Sequence, residues 1–187
     1  MMKALRCIVL VVACGLALGP ERTAAQGRTT IAIDATLGAG FGKGGEFYGR
    51  NQQSGRIAVS VRRSRPTQVG FFGEVALDAV LPSADFLVCY RSSRGGCLPS
   101  FPEFLGPTLT GGLIAQPIDR FEARLGVGGG AFSAGGTRVG AAVSQLDMAF
   151  FPVSHIGLIA GTRWIVVPRY RGDKLSVLPW AIGLRFR

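Results

Sequence analysis

The chain has 187 residues, 28 of them glycine, a formal net charge of +10, and charged residues at 17%, against roughly 25% in ordinary soluble domains. Lysine stands only at Lys3, Lys43 and Lys174, which excludes the lysine-and-glutamate coat of a typical water-soluble surface. The cations are scattered along the chain, which argues against a base-reading surface and gives no expectation of a nucleic-acid partner.

Residues 1–25 read as a secretory signal peptide. Lys3 and Arg6 give a positive start, Cys7 to Leu18 is a run of twelve apolar or small residues, Pro20 breaks it, and Thr23, Ala24 and Ala25 precede Gln26. That run is too short to span a bilayer, which takes roughly 20 apolar residues. A second reading takes Val11 to Cys14 as a lipobox with Cys14 as the lipidated first residue, although the apolar run continues to Leu18. Cleavage after Ala25 leaves residues 26–187 as one domain, with Cys89 and Cys97 as its cysteines. In an exported chain such a pair is expected to form a disulfide.

No later segment is long and apolar enough for a transmembrane helix. What recurs is alternation of period two, the mark of strands with different environments on their two faces. Thr29 to Phe41 sets Ile31, Ile33, Leu37 and Phe41 against Asp34, Thr36, Gly38 and Gly40, and Arg56 to Arg63 sets Ile57, Val59 and Val61 against Ala58, Ser60 and Arg62. Gln68 to Val80 sets Val69, Phe71, Val75 and Leu77 against Gly70, Glu74 and Asp78, and Phe104 to Ala115 sets Leu105, Leu109 and Leu113 against Gly106, Thr108, Thr110 and Gly112. Arg120 to Phe132 carries Phe121, Leu125 and Val127 opposite Glu122 and Arg124, and Val139 to Phe150 carries Leu146, Met148 and Phe150 opposite Gln145 and Asp147. His155 to Val167 places Ile156, Leu158 and Trp164 opposite Gly157, Gly161 and Arg163, and Leu178 to Arg187 places Trp180, Ile182, Leu184 and Phe186 opposite Ala181, Gly183 and Arg185.

The connections alternate too. Gly42 to Gly55, Leu81 to Glu103, Ser133 to Arg138 and Pro168 to Lys174 read as longer loops on one rim, while Ser64 to Thr67, Gln116 to Asp119 and Phe151 to Ser154 read as short turns, each with a proline. An even strand count with long loops at one end and tight turns at the other is the plan of an outer-membrane barrel. Strands of about 8 to 13 residues bracket the roughly 9 to 11 that a tilted strand needs to cross a bilayer. The expected fold is therefore all-β, an eight-stranded antiparallel up-and-down transmembrane β-barrel. A soluble barrel of the lipocalin kind would put the apolar face inward around a ligand. Against that, the second face is glycine, serine and threonine with charges of both signs, a filling for a narrow interior. Several aromatics of the apolar face also lie near strand ends, as an interfacial girdle would.

The pattern, and above all the closing strand with Trp180, Ile182, Leu184 and Phe186, resembles the small eight-stranded outer-membrane β-barrel proteins of Gram-negative bacteria. The resemblance implies that those four residues form an assembly signal read by the barrel-assembly machinery, with Phe186 as its terminal aromatic. Arg187 departs from the family habit of ending on that aromatic. It also implies an outer-membrane location with both termini in the periplasm.

Inward charges must be paired to sit in low dielectric. Asp34, Glu74, Arg124, Asp147, Arg163 and Arg185, on the same face as Arg56, Asp78 and Glu122, are expected to form a polar network filling the interior: Asp34 with Arg185, Arg124 with Asp147, Glu74 with Arg163. His155, beside Ser154, lies in a short turn without a third orienting group, so no catalytic residue, metal site or cofactor is expected. Gly40 to Gly49 lacks phosphate-loop spacing and reads as a rim loop. Arg91, Arg94, Arg169, Arg171 and Lys174 suit the phosphates of lipopolysaccharide. These features point to a non-catalytic envelope protein acting through membrane integrity or a surface protein partner. The alternatives are a small porin-like solute channel and a secreted lipocalin-like binder.

Overall fold

A computed structural model describes residues 28–44, 47–64, 69–81 and 102–187. They form eight strands: β1 (Arg28–Gly44), β2 (Phe47–Ser64), β3 (Val69–Leu81), β4 (Phe104–Ile118), β5 (Phe121–Ala134), β6 (Thr137–Val153), β7 (Ile156–Tyr170) and β8 (Asp173–Phe186). Each pairs antiparallel with its neighbour in sequence, and β8 returns to β1 from Ile33↔Phe186 to Lys43↔Ser176, closing the barrel. Closure leaves the sheet no open edge, so every strand finds its backbone partners within the wall. Among the described residues no helix is long and apolar enough to cross a membrane.

Alternation decides the two faces. Leu37 is 74% exposed, Phe71 71% and Ile182 70%, whereas Asp34, Glu122 and Arg185 are 0% exposed. The apolar face is outside and the ionised residues are inside, so the lipocalin-like arrangement is excluded for this fold. A continuous apolar belt of this extent far exceeds the few hundred Å² that soluble monomers normally show. It is a surface suited to a hydrocarbon solvent.

The strands run further than alternation alone suggested. Gly42 to Gly55, expected as a loop, is strand at 42–44 and 47–55; Ser133 to Arg138 and Pro168 to Lys174 shrink to two-residue turns at Gly135-Gly136 and Arg171-Gly172. Both turns have positive φ at both positions, 52° and 79° in the first and 49° and 95° in the second. That is the hairpin geometry whose twist matches the flanking strands, and it lets the ladders continue to the rim. The connection from 82 to 103 is therefore the one long join of this end, and residues 82–101, with Cys89, Arg91, Arg94 and Cys97, lie outside the described residues, as do residues 1–25. The opposite end, with the turns at Asp119-Arg120 and Ser154-His155, forms the turn rim.

The interior has three tiers. Toward the hairpin rim Val80, Phe104, Phe132, Val143, Ile165, Val167, Tyr170, Leu175 and Val177 pack into an apolar core, with Phe104 and Phe132 edge to face at 6.1 Å. The charges form the middle. Near the turn rim lie Ala149, Phe151 and Ile159, with Phe72 and Ile114 also buried.

Closure of so narrow a barrel requires close backbone approach at the β1–β8 seam. A Cβ on Gly183 would collide with the Ala35 carbonyl, and one on Gly38 with the Trp180 carbonyl. Gly183→Val is therefore expected to destabilise the closed barrel by about 1–3 kcal/mol or more. The folded form would show this as loss, at lower temperature than wild type, of its distinct unboiled electrophoretic mobility.

Candidate functional site

The middle tier holds five arginines (Arg56, Arg62, Arg124, Arg163, Arg185) and five carboxylates (Asp34, Glu74, Asp78, Glu122, Asp147), each 7% exposed or less. Among the described residues ten buried ionised groups thus line the lumen, and their formal charges cancel. Arg185 on β8 makes a fork to Asp34 on β1, Nε to Oδ1 at 2.7 Å and Nη2 to Oδ2 at 2.8 Å. The two residues are direct register partners across the closure seam. The third arm, Nη1, donates to Glu122 Oε1 at 2.6 Å. Glu122 also accepts from Arg124 Nε at 2.7 Å and pairs with Arg62.

On the other side of the lumen Arg163 donates Nη2 to Glu74 Oε1 at 3.0 Å and pairs through Nη1 with Asp78. Arg56 Nη2 donates to Glu74 Oε2 at 2.6 Å. Neutral groups complete the net: Thr108 donates to Asp78 at 2.6 Å, Gln145 accepts from Arg163 Nε at 3.1 Å, and Ser60 accepts from Arg124 Nη1 at 3.0 Å. Forked, charge-assisted bonds of this kind satisfy arginine in a buried site where single contacts would not.

Asp34 and Arg185 meet as the strand positions suggest, and Arg163 crosses to Glu74. Arg124 does not bond Asp147, although the two are register partners; it turns instead to Glu122 and Ser60. Asp147 lies 3.6 Å from Arg56 and 3.9 Å from Arg185. Arg124 and Asp147 both aim at the barrel axis, and here the long guanidinium reaches past its neighbour to a carboxylate elsewhere, unlike Arg185, which forks to its own register partner. Arg62 belongs to the network too. Its phase, two residues beyond Ser60 on the inward face, was the available signal.

The inner residues missed from sequence are Phe104, Phe132, Tyr170, Leu175 and Val177. Leu175 and Val177 hold the inward phase of Ala181 and Arg185, but they fall between the expected loop, which ends at Lys174, and the expected strand, which begins at Leu178. A cavity of about 30 Å³ lies against the charged tier, lined by Thr36, Ser54, Arg56, Asp78, Asp147 and Arg163 among others; that suffices for a water or two.

The outer wall carries Trp180, Ile182, Leu184 and Phe186, all at least 42% exposed, in one row of β8. Trp164 shares this outer face, and its indole Nε1 donates to Ser176 Oγ at 2.6 Å. At the hairpin rim Arg169, Arg171 and Lys174 are exposed. The register shift between Val167 and Tyr170 makes this possible. It breaks the alternation, so that Tyr170 turns inward at 3% exposure and Arg169 turns out. Lys43 on β1, opposite Ser176, is exposed beside them. Arg171 stands over the Tyr170 ring at 5.6 Å. At the turn rim His155 Nδ1 lies 3.1 Å from the Arg187 carbonyl, and the Ser154 carbonyl accepts from Arg187 Nε at 2.8 Å. Among the described residues no cluster of three metal-binding side chains occurs.

This is the fold of the small eight-stranded outer-membrane barrels. Neisserial surface protein A superposes with a TM-score of 0.57 at 12% identity, over 85% of this chain and 98% of that one. Ail, the attachment invasion locus protein of Yersinia pestis, solved in complex with the heparin analogue sucrose octasulfate, superposes with a TM-score of 0.51 at 14% identity, over 86% of this chain and 99% of that one. No protein-family model matches the chain, and no curated protein matches it in sequence.

Removal of one member of a buried ion network strands its partners. Arg185→Ala leaves Asp34 without its fork, and is expected to cost about 3–5 kcal/mol in urea unfolding of the folded barrel. The double change Asp34→Leu with Arg185→Leu should cost less than Arg185→Ala, because it removes two opposite charges together.

Proposed function

We propose that the protein is a non-catalytic barrel of the bacterial outer membrane that acts through its outer surface and not through its lumen. The observation that carries this reading is the combination of a charge-balanced, tightly filled interior with an apolar outer wall. A wall of Leu, Ile, Phe and Trp has no favourable solvent but lipid. Five arginines bonded among five carboxylates, capped by an apolar core, leave no wide aqueous path.

In this reading residues 1–25 are removed as a signal peptide, and the turn rim with both termini faces the periplasm. The row Trp180, Ile182, Leu184 and Phe186 is the signal for the barrel-assembly machinery. The hairpin rim faces outward, and there Arg169, Arg171 and Lys174, with Arg91 and Arg94 of the 82–101 segment, contact lipopolysaccharide phosphates and an envelope or surface protein partner. A Cys89–Cys97 disulfide staples that segment. Two features support the cationic rim. Arg171 keeps a positive φ that an L side chain tolerates poorly, and the β7 irregularity turns Arg169 to the surface. The hairpin itself needs a positive φ at the Arg171 position; that the chain keeps an arginine there, and turns Arg169 outward beside it, favours a role for the exposed charge. His155 and Ser154 are engaged with Arg187 at the far rim, which supports a structural role for them and no catalysis.

Planar-bilayer recordings are the test of this reading: the expectation is little or no steady conductance, and large, stable channels would replace it with a porin-like function. For the rim, the triple change Arg169→Ala, Arg171→Ala and Lys174→Ala is expected to weaken binding to lipopolysaccharide-containing vesicles several-fold, with unchanged binding to neutral vesicles. Equal binding of variant and wild type would remove these residues from the contact.

A further inference from the structure

One cation at the turn rim belongs neither to the lumen network nor to the proposed lipopolysaccharide contacts. Arg187 follows the exposed Phe186 and is partly buried. Its guanidinium carbon lies 3.7 Å from the centre of the Phe151 ring, a ring 1% exposed. From that position Nε donates to the Ser154 carbonyl at 2.8 Å and Nη2 to the Asp119 carbonyl at 3.1 Å. The backbone continues the tie: Arg187 N donates to the His155 carbonyl at 3.0 Å, and Phe151 N donates to the Arg120 carbonyl at 2.8 Å. One side chain thus joins the end of β8 to the β4–β5 turn and to the β6–β7 turn, with the inward-facing Phe151 beneath it.

We infer that Arg187 is a lid, closing the mouth of the lumen at the turn rim and separating the charged tier from water on that side. This rests on the closed-lumen reading and names the group that completes it. Arginine suits the position, because its planar fork reaches two carbonyls in different turns while its flat face stays on an aromatic ring. Lysine has a point charge and cannot do all three at once. Phe186 points outward on the wall while Arg187 folds across the opening.

The test is thiol labelling of the full-length barrel, purified from membranes in detergent so that both mouths meet the reagent, in a background with Cys89→Ser and Cys97→Ser. Ser60→Cys reports on the charged tier, since Ser60 is 1% exposed and accepts from Arg124. Val143→Cys, from a site 3% exposed in the opposite apolar core, reports on the far side. The Ser60 reporter is expected to label slowly with Arg187 present and at least tenfold faster with Arg187→Ala. Arg187→Lys should restore little, and the Val143 reporter should not change. Should Arg187→Ala prevent folding, Phe151→Leu keeps an apolar floor but removes the aromatic face, and is expected to accelerate the Ser60 reporter severalfold. Equal Ser60 labelling with and without Arg187, or equal acceleration of both reporters, overturns the lid. If the parent Ser60 reporter already labels as fast as an unfolded chain, the closed-lumen reading itself fails.

Discussion

Ten buried ionised side chains of the described residues share the interior, and the barrel is stable only if they are answered by partners inside the same narrow tube. Isolated, each would cost several kcal/mol after relaxation. The pairing is therefore a constraint on the whole ring. Arg185 bonds Asp34 on the adjoining strand and Glu122 on β5, and Arg163 bonds Glu74 and Asp78 on β3 from β7. These contacts span the bore, so they form only when the sheet has curled far enough to bring opposite walls together. Buried ion pairs are weak contributors to net stability compared with well-packed apolar groups, but they are demanding about geometry. Their contribution is specificity for the closed form.

The closure seam concentrates that demand. Asp34 and Arg185 face each other across β1 and β8, next to Gly38 and Gly183, whose missing side chains let the two strands approach. A slip by one residue would turn both ions toward the apolar wall and bring Ile33 or Leu184 into the lumen. Charge inside and hydrocarbon outside thus select one register, and the glycines make that register sterically open. The apolar core at the hairpin rim then acts on the network by excluding water, which strengthens each charge-assisted bond it covers.

The period-two pattern was readable wherever one face is apolar and the other carries charge, which is why eight strands, their order and the inward set Asp34, Glu74, Arg124, Asp147, Arg163 and Arg185 follow from residues alone. It weakens where both faces are small or apolar. Ile165, Val167, Leu175 and Val177 point inward in a stretch whose outward residues are Trp164, Val166, Lys174 and Ser176, and there alternation of polarity no longer tells inside from outside. The hairpins at Gly135-Gly136 and Arg171-Gly172 were concealed in the same way, their glycines suggesting loops when they mark tight turns. Partner choice was not legible at all. Sequence places Arg124 level with Asp147, but which carboxylate a guanidinium takes depends on the bore diameter and on what else competes for it, as Glu122 does here.

The tiers divide the chemistry of the molecule along its axis. The wall is apolar, and the charged groups in the middle of the lumen are engaged mainly with one another. Exposed cations that carry no carboxylate partner in the described structure are found where the strands leave the apolar belt: Lys43, Arg138, Arg169 and Lys174 at the hairpin rim, and Arg63 and Arg120 at the turn rim. The placement of Arg169 required a break in the β7 alternation, since an unbroken strand would have sent it inward, to add a further arginine to the five that the described residues balance with five carboxylates. Turning it outward keeps the interior neutral and adds a positive charge to the rim in the same step. The same irregularity therefore serves both the charge balance of the buried groups and the exposed charge of the hairpin rim.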